Sequence, residues 1–540
     1  MMKVVKIFKD KGLRGAIDTV NLHFQSDIKY NRWFKKNRIT IKELEEQKKK
    51  SFIYNPKISL IVPAFHTQSS MMLELIESVL RQSYSNWELC ISIGCPKDEH
   101  LIELLTQKIY DDRIKYIVSK KDLRISENTN RALTLATGDY IGFLDHDDII
   151  EPDALYEIVN VLQKKADVVY TDEDKVNSNL TRYSSPYFKP DFSIDLLRCQ
   201  NYITHLFIVK YELLQQVGFL SPELDGAQDY DLILRCIEQA ESIIHIPKIL
   251  YHWRKVKGST AEKPESKMYC YEAGKKALEN HLKRNQIEAE VHLAKLLGRY
   301  HVFYGLKEKP LLSIVIVNAT DESKNKIENA ITKLGGYSNV EFVYENDKNI
   351  SVAYNNGAER AMGQYILFVA GTVYPIGSYS VYEMISLCMQ ENVGLVAPKI
   401  MYRNNRIKHA GMILGYRNRV GYAFRGCDKN ATTYMNRAEQ NGNYSAVSSD
   451  VIMMSKELYR NVGGYKESED WNLSQVLFCT QVLKKKYRIV YNAFSEWCDD
   501  SYKSDGISSV LSNDEWNDIA KMDPFYNKNL SLVKKLFELD

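Results

Sequence analysis

The sequence predicts an α/β fold made of two similar domains in tandem, and three observations lead to this prediction. Apolar segments typical of buried parallel strands alternate with helical stretches from residue 57 onward, and the alternation restarts near residue 311. Residues 351–369 also align with residues 126–144 without a gap. The chain has 540 residues, too many for one hydrophobic core, since domains usually hold about 100–200 residues.

The first domain begins after Pro56, where the segment KISLIVP is apolar on both faces. The predicted elements are, in order, strand Lys57–Pro63, helix Met72–Gln82, strand Trp87–Ile93, strand Ile114–Val118, helix Asn128–Ala136 and strand Tyr140–Leu144. This order favours a Rossmann-like, mostly parallel sheet with right-handed crossovers. Such sheets bind nucleotide-type ligands at the carboxyl ends of their strands.

The second domain repeats the first. Leu312–Val317 corresponds to Ile58–Val62, and the gapless segment contains the identities Ser126/Ser351, Asn130/Asn355, Ala136/Ala361, Gly138/Gly363, Tyr140/Tyr365 and Phe143/Phe368. We interpret these matches as two copies of one fold. The predicted organisation is a basic helical extension at 1–55, a first domain at 56–300, a second at 310–500 and a C-terminal tail at 501–540.

Composition excludes several other classes of protein. Apolar residues make up 44% and charged residues 26%, which are ordinary globular values. The net charge of +3 is too balanced for a protein that wraps nucleic acid. No apolar run approaches the roughly 18 residues that cross a bilayer. The nine cysteines include no Cys-x-x-Cys pair, which favours reduced thiols in a cytoplasmic protein.

The first 50 residues are basic, with 14 Lys and Arg against 6 Asp and Glu, so their net charge is +8 and that of the remaining chain is −5. Lysines alternate with apolar residues between Lys3 and Arg14, which is compatible with an amphipathic helix. Such a helix rests on anionic lipid or packs as a solvated helix against its own protein, and both interpretations stay open.

The strongest local signal is the acidic cluster Asp145-His146-Asp147-Asp148 at the end of an apolar strand. Alternation along a strand would direct Asp145 and Asp147 to one side, at the ligand-binding edge of the sheet. Adjacent like charges are costly unless a cation bridges them, and Mg²⁺ or Mn²⁺ binds carboxylate and phosphate oxygens together. A simple acidic turn is the alternative.

Several further segments of the first domain, together with the acidic cluster, match the motifs of a known protein family in their order along the chain. They are Ser59–Pro63, Thr137–Asp139, Val169–Asp174, Phe188–Asp191, Gln200–Tyr202, Gly226–Asp231, His245–Pro247 and Tyr251–Arg254. With the acidic cluster, they resemble the family 2 glycosyltransferases of the GT-A fold, in particular those that build bacterial O-antigen, capsule and rhamnan-like chains. The resemblance implies an inverting, metal-dependent transfer from a nucleotide-diphosphate sugar to a glycan acceptor.

The resemblance also implies roles for individual residues. Asp145 and Asp147 would hold Mn²⁺ or Mg²⁺ with His252 as a third contact, and Asp229 would be the base that deprotonates the acceptor hydroxyl. The alternative for Asp229 and its neighbour Asp231 is a helix N-terminus, where acids are favoured in any case. For His252 the alternative is a packed, structural histidine.

Other residues would contact the substrates. The donor-binding set implied by the resemblance is Pro63, Ser126, Asn130, Asp145 and Arg254. Asp172, Asp174, Gln228 and Asp231 would meet the donor sugar or the acceptor. Asp172 and Asp174 follow a predicted strand, so a solvated acidic turn is the alternative for them.

One departure from the family concerns the nucleobase. Members usually carry one or two Asp residues after the second strand, whereas Ile93 and Gly94 stand there in this chain. Backbone groups or Asp98 would have to compensate, so the base stays open between uridine- and thymidine-linked donors.

The second domain lacks the acidic cluster. Asp145 to Asp148 align with Ala370-Gly371-Thr372-Val373, and Gln475 and Leu477 stand where acids are expected. We therefore predict a degenerate transferase domain that serves packing, acceptor-chain binding or homodimer formation. Glu469 and Asp470 are the alternative catalytic set.

The resulting hypothesis is an enzyme at the cytoplasmic face of the membrane that extends a polyprenyl-linked polysaccharide and has no nucleic-acid partner. The basic N-terminus fits a peripheral association with that membrane. Two alternatives are a bifunctional polymerase in which both domains transfer sugar, and a non-catalytic glycan-binding or scaffold protein.

Overall fold

A computed structural model describes residues 27–107, 109–255, 268–468, 470–501 and 523–540. The chain forms two compact units. The first unit contains residues up to Lys189 together with Ile203–Ala277, and the second contains Pro190–Tyr202 together with Leu278–Glu538. The basic segment between Lys3 and Arg14 lies outside the described residues.

The helices alternate with strands in both units. In chain order the helices are α1 (27–37), α2 (Ile41–Lys49), α3 (Ser69–Leu80), α4 (Glu99–Gln107), α5 (Ile125–Leu133), α6 (Ala154–Leu162), α7 (Ile194–Leu197), α8 (Tyr211–Val217), α9 (Gln228–Gln239), α10 (Met268–Arg284), α11 (Asp321–Leu334), α12 (Ile350–Arg360), α13 (Ser380–Cys388), α14 (Lys456–Asn461) and α15 (Trp471–Lys484). Among the helices that the structure describes, none combines the length and apolar character that a bilayer crossing requires.

The strands form two large sheets and two short hairpins. In chain order they are β1 (Ile58–Ala64), β2 (Trp87–Ile93), β3 (Ile114–Val118), β4 (Tyr140–Phe143), β5 (Ile149–Ile150), β6 (Val168–Asn177), β7 (Tyr183–Tyr187), β8 (Phe207–Lys210), β9 (Ile243–Lys255), β10 (Ala289–Leu293), β11 (Tyr300–Tyr304), β12 (Leu312–Val317), β13 (Val340–Glu345), β14 (Tyr365–Ala370), β15 (Val373–Pro375), β16 (Val393–Tyr402), β17 (Ile407–His409), β18 (Met412–Tyr416), β19 (Arg419–Tyr422), β20 (Gly442–Asn443), β21 (Val451–Ser455) and β22 (Arg488–Asp499).

The sheet of the first unit has the strand order β3-β2-β1-β4-β8-β6-β9-β5, with β7 paired to β6. Strands β1 to β4 are parallel, as are β6 and β9, whereas β8 and β5 run antiparallel to their neighbours. Every residue of β1 and β2 is buried, because helices cover both faces of the parallel part. The chain leaves β1 toward β2 on one side and returns to β4 on the other, which creates a switch point at their carboxyl ends.

The second unit repeats this order. Its sheet reads β13-β12-β14-β21-β16-β22-β15, with the same parallel and antiparallel pairings as β2-β1-β4-β8-β6-β9-β5. The sheet path of the second unit ends at β13, so its described part has no counterpart of β3. The predicted fold class, two α/β units in tandem with sheets built around parallel strands, is confirmed.

A loop contact is also repeated. In the first unit the Asn130 amide bonds both backbone groups of Leu220, at 2.8 and 3.0 Å. In the second unit the Asn355 amide does the same to Tyr465, at 2.9 and 3.0 Å. The two asparagines are therefore equivalent parts of one framework, as the gapless alignment predicted.

Candidate active site

A cavity of about 60 Å³ opens at the switch point of the first sheet. Its apolar walls come from β1, β4 and α9, including Ile61, Phe143 and Leu232. The groups with polar side chains are Thr129, Asp145, Thr204, His205, Gln228 and Asp229. The cavity therefore brings together two carboxylates and an imidazole that come from three distant parts of the chain.

Asp229 reaches the cavity because it is the second residue of α9. Burial raises the pKa of its carboxyl group, His205 opposes this, and the nearby charge of Asp145 raises it further. A carboxylate with a raised pKa accepts a proton more readily than an ordinary aspartate does.

Asp145 lies two residues after the end of β4 and lines the same cavity as Gln228 and Asp229 of α9. Its carboxylate lies 3.6 Å from Nε2 of His205, and its side chain is 48% exposed. The His205 ring stacks on Tyr251, with the ring centroids 4.5 Å apart and the planes 11° apart. Sequence reasoning missed His205. The only signal was its place three residues after the Gln200-Asn201-Tyr202 segment.

The acidic cluster divides between the cavity and the protein interior. Asp147 lies in a turn and is not among the residues that line the cavity. Burial raises the pKa of Asp147, His146 lowers it and Asp145 raises it. Asp148 is buried and accepts hydrogen bonds from the Tyr251 hydroxyl at 2.5 Å and the Arg254 backbone N–H at 2.7 Å. Asp148 therefore has a structural role.

His252 lies in the interior, away from Asp145 and Asp147. Its Nδ1 is 2.5 Å from the Asp174 carboxylate and its Nε2 is 2.9 Å from the Glu151 carboxylate. Burial opposes a charge on the ring, but the two carboxylates outweigh burial and raise the pKa of His252 to about 9. In the described part of the chain, His252 does not form a three-ligand cluster with Asp145 and Asp147.

Helix α1 and Arg38, the residue after it, cover this buried network. The Tyr30 hydroxyl donates a hydrogen bond of 2.5 Å to Asp174, and Arg38 forms an ion pair of 2.7 Å with Glu151. Phe34 packs edge-on against the His252 ring at 5.3 Å. Both ring nitrogens of His252 thus face carboxylates of the interior, Asp174 and Glu151.

Three of the expected substrate contacts are also interior residues. Asp172 and Asp174 lie within strand β6, and not in a solvated turn, because β9 pairs along it and supplies partners. Asp172 bonds His245 at 2.8 Å, and Asp231 forms an ion pair of 2.9 Å with Arg235 one turn along α9. Only Gln228 of this expected set lines the cavity.

The expected donor-binding residues are mostly part of the framework around the cavity. Pro63 lines the cavity directly. The Ser126 hydroxyl donates a hydrogen bond of 2.5 Å to Asp225, on the loop that leads to α9. Arg254 donates through Nε to the Asp147 backbone carbonyl at 2.6 Å and forms an ion pair with Glu74. Arg254 therefore fixes the turn that carries Asp147.

The Asn128 side chain fills the space beside Gly94. A Cβ atom at Gly94 would lie 2.6 Å from Nδ2 of Asn128, so the amide occupies the space of a side chain. The amide donates a hydrogen bond of 2.9 Å to the Ala64 carbonyl. Its Oδ1 is buried and has no hydrogen-bond partner among the described residues.

The equivalent edge of the second unit has different chemistry. The strand registers Tyr140↔Lys210 and Tyr365↔Ser455 make Asp450 the counterpart of His205. Asp450 forms an ion pair of 3.1 Å with Lys408, whose ammonium also lies 2.5 Å from Asp499.

Other positions at that edge also differ from the first unit. The register of β14 places Ala370 where the first unit has Asp145. The second residue of α15 is Asn472, where α9 has Asp229. Counted from the helix start, Asn472 takes the place of Asp229. Gln475, the position expected from the sequence, lies three residues further along α15. Asp470 caps α15 through its side chain, and Glu469 lies outside the described residues.

Comparison with known proteins gives a consistent result. Residues 59–218 match the family model "Glycosyl transferase family 2". The chain is 32% identical to protein y4gI of Sinorhizobium fredii over 535 residues, covering 90% of this chain and 58% of that protein. It is 27% identical to the O-antigen biosynthesis protein RfbC of Myxococcus xanthus over 518 residues, covering 88% of this chain and 40% of RfbC.

A shorter relative is covered more completely. The chain is 30% identical over 206 residues to WcaA of Escherichia coli, a protein named for colanic acid biosynthesis. This match covers 36% of the chain and 73% of WcaA. The chain thus spans only 58% and 40% of the two long relatives but most of the short one.

Proposed function

Because the chain belongs to the family 2 glycosyltransferases, we propose that its first unit transfers a sugar from a nucleotide-diphosphate donor to a glycan acceptor. The observation that carries this proposal is the convergence of Asp229, Asp145 and His205 on one cavity at the switch point of the sheet. Two carboxylates beside an imidazole suit a reaction in which one group holds charge and another accepts a proton.

Asp229 is the proposed base. Its raised pKa matches the task of taking the proton from an acceptor hydroxyl. Since Asp229 projects from α9 while Asp145 follows β4, the acceptor hydroxyl and the leaving diphosphate would bind on different sides of the cavity. This arrangement favours attack on the face opposite the leaving group, and hence inversion.

A divalent cation fits the chemistry of Asp145 and Asp147. Burial and the charge of Asp145 raise the pKa of Asp147, whereas His146 and Arg254 act in the opposite direction. Carboxylates in this situation suit Mn²⁺ or Mg²⁺, which would supply positive charge to the leaving diphosphate. We propose Asp145 and Asp147 as ligands. The imidazole of His205 lies 3.6 Å from Asp145 and is proposed as a neighbouring group, not as a third ligand.

His252 and Arg254 are proposed to position this site without contacting the substrate. His252, on β9, contacts the carboxylates of Asp174 and Glu151 through its two ring nitrogens. Arg254, two residues further along β9, donates a hydrogen bond to the Asp147 carbonyl. Strand β9 therefore fixes the turn on which Asp147 lies, through the hydrogen bond from Arg254. Asp172, Asp174 and Asp231 support the same framework through their interior ion pairs and hydrogen bonds.

We propose that the second unit binds the acceptor chain and does not transfer sugar. Its support is a cavity of about 370 Å³ with many hydrogen-bonding groups, the kind of lining that suits sugar hydroxyls. The polar residues of this lining are Arg198, Asn285, Gln286, Glu288, Lys307, Gln390, Glu391, Asn392 and Arg488. Homodimer formation is the other proposed use of this unit.

The acceptor is proposed to be lipid-linked, at the cytoplasmic face of the membrane. The net charge of +8 over the first 50 residues supports attraction to an anionic leaflet. The donor is proposed to carry UDP or dTDP, and its sugar is left to experiment.

The test is a donor-hydrolysis and transfer screen across UDP- and dTDP-linked sugars with Mg²⁺ or Mn²⁺. We expect one donor class to be turned over with the metal and about 10³-fold more slowly by Asp229→Asn. The matched control, Asn472→Ala in the second unit, should keep the wild-type rate. Absence of metal-dependent nucleotide binding would instead favour the non-catalytic scaffold, and residual turnover that depends on Asn472 would favour a bifunctional enzyme.

A further inference from the structure

A group of three metal-ligating side chains lies at the same sheet edge but outside the proposed active site. His66 follows β1, and Cys95 and Asp98 lie on the loop between β2 and α4. One ligand atom from each residue, the imidazole nitrogen, the thiol sulfur and a carboxylate oxygen, lies within 4.8 Å of the other two. None of these residues is among the proposed cation ligands, the proposed base or the acceptor contacts, and Asp98 is named above only as an acid near the nucleobase position.

We propose that His66, Cys95 and Asp98 form a binding site for a borderline-soft divalent ion of the Zn²⁺ type. Imidazole, thiolate and carboxylate together are a typical zinc ligand set, and three protein ligands leave one position open. The thiolate selects against Mg²⁺, which prefers oxygen ligands only. The site is therefore chemically distinct from the carboxylate pair Asp145 and Asp147.

The three side chains are already oriented toward one another. The Asp98 carboxylate accepts a hydrogen bond of 2.8 Å from the His66 backbone N–H, and its second oxygen is 2.9 Å from His66 Nδ1. Asp98 and Cys95 are buried, whereas the His66 side chain is 61% exposed. A metal ion can thus enter from the His66 side and meet two ligands that the fold already holds.

The neighbouring contacts connect this site to the acidic cluster. Thr67 Oγ1 is 2.9 Å from Nδ1 of His146, which lies between Asp145 and Asp147. The carbonyl of Thr67 is 2.8 Å from Nε2 of His100 on α4. An ion held by His66, Cys95 and Asp98 would therefore restrain the loop that contacts the catalytic edge.

Titration of the full-length protein with Co²⁺, followed by Zn²⁺ displacement, tests the proposal. We expect one equivalent of Co²⁺ to produce a thiolate-to-metal charge-transfer band in the near ultraviolet, and Zn²⁺ to remove it. Changes in an outer shell already weaken metal binding by about 10–100-fold, so loss of a ligand in Cys95→Ser should weaken it by more than about 100-fold. His66→Gln should weaken it as well and, because the His66 side chain is exposed, should leave the fold intact.

Control variants separate this site from other thiols and from the catalytic carboxylates. Cys270→Ser and Cys427→Ser change the two half-buried cysteines and should keep the band. Asp147→Asn should keep it too, which makes the result independent of sugar transfer. Zn²⁺ should also raise the thermal midpoint of the wild type and leave that of Cys95→Ser unchanged. Survival of the band in Cys95→Ser, or failure to bind one equivalent, would overturn the proposal.

Discussion

The two units share a strand order but balance charge at the carboxyl edge of the sheet in opposite ways. In the first unit, Asp145 and Asp229 line one cavity together with His205, whose imidazole lies 3.6 Å from the Asp145 carboxylate. In the second, Lys408 lies between Asp450 and Asp499 and neutralises both. One topology thus holds carboxylates beside an imidazole in the first unit and two carboxylates around a buried lysine in the second.

The pKa values follow this difference. At the first edge, burial and neighbouring carboxylates raise the pKa of Asp147 and of Asp229. At the second, burial opposes ionisation of Asp450, but the Lys408 ammonium outweighs it and lowers the pKa of Asp450. The first edge therefore holds carboxyl groups with raised pKa values, which are common at functional sites.

The largest effect is expected when the first edge is made to resemble the second. Asp145→Ala copies Ala370 and removes a carboxylate proposed to hold the cation, so turnover of the donor should fall by about 10³-fold. Steady-state rates at varied Mn²⁺ measure this effect. The reverse change, Ala370→Asp, should leave the rate within twofold, whereas a new metal-dependent activity in that variant would contradict the assignment of the second unit.

The next effect concerns the buried ammonium of the second unit. Lys408→Met leaves Asp450 and Asp499 without their cation, and breaking a buried pair typically costs about 3–5 kcal/mol. Denaturant unfolding measures the loss. Lys326→Met removes a more exposed ion pair with Asp500 and should cost about 1 kcal/mol or less. Equal losses in the two variants would mean that the Lys408 cluster is not the internal cation inferred from the comparison.

Much of the framework could be predicted from local sequence. The strand before Asp145 and the strand beginning at Leu312 are apolar on both faces, and the repeat of Asn130 and Asn355 fixed the register between units. The partners of the acidic residues could not be predicted in the same way. Asp172 bonds His245, 73 positions away, only because β6 and β9 become neighbours in the sheet.

His205 is the clearest example of a residue that needs the fold. It precedes β8, an antiparallel strand inserted between β4 and β6, and this insertion brings it to Asp145. No local pattern marks a histidine as the neighbour of a carboxylate 60 positions earlier. His252, by contrast, belongs to a conspicuous segment, yet pairing with Asp174 and Glu151 gives it an interior place.

A smaller effect distinguishes the two buried histidines by pH. The pKa of His252 is raised to about 9. Its contribution to the free energy of unfolding is therefore complete below pH 6.5 and is lost as pH rises through 9. Burial lowers the pKa of His409 to about 4. The folded protein therefore loses stability at this site as pH falls below 6.5, because the unfolded chain then binds a proton that the buried ring does not.

Thermal unfolding of the wild type and of His252→Gln between pH 6 and 10 measures the first contribution. A shift from 6.5 to about 9 corresponds to about 3 kcal/mol. The stability difference between the two proteins should therefore shrink on the alkaline side. A constant difference over this pH range would show that His252 is not charged in the folded protein.

The smallest effect sharpens the comparison at the repeated loop contact. Asn130→Ala and Asn355→Ala each remove an amide that bonds two backbone groups, so each should lower the free energy of unfolding by about 1–3 kcal/mol. Of the two asparagines, Asn130 is the one that holds the loop leading to α9 and Asp229. We therefore expect Asn130→Ala, and not Asn355→Ala, to change the donor KM or the turnover rate as well. If both variants lose stability equally and neither changes the kinetics, the Asn130 contact supports the fold alone, and the expected donor-binding role of Asn130 is wrong.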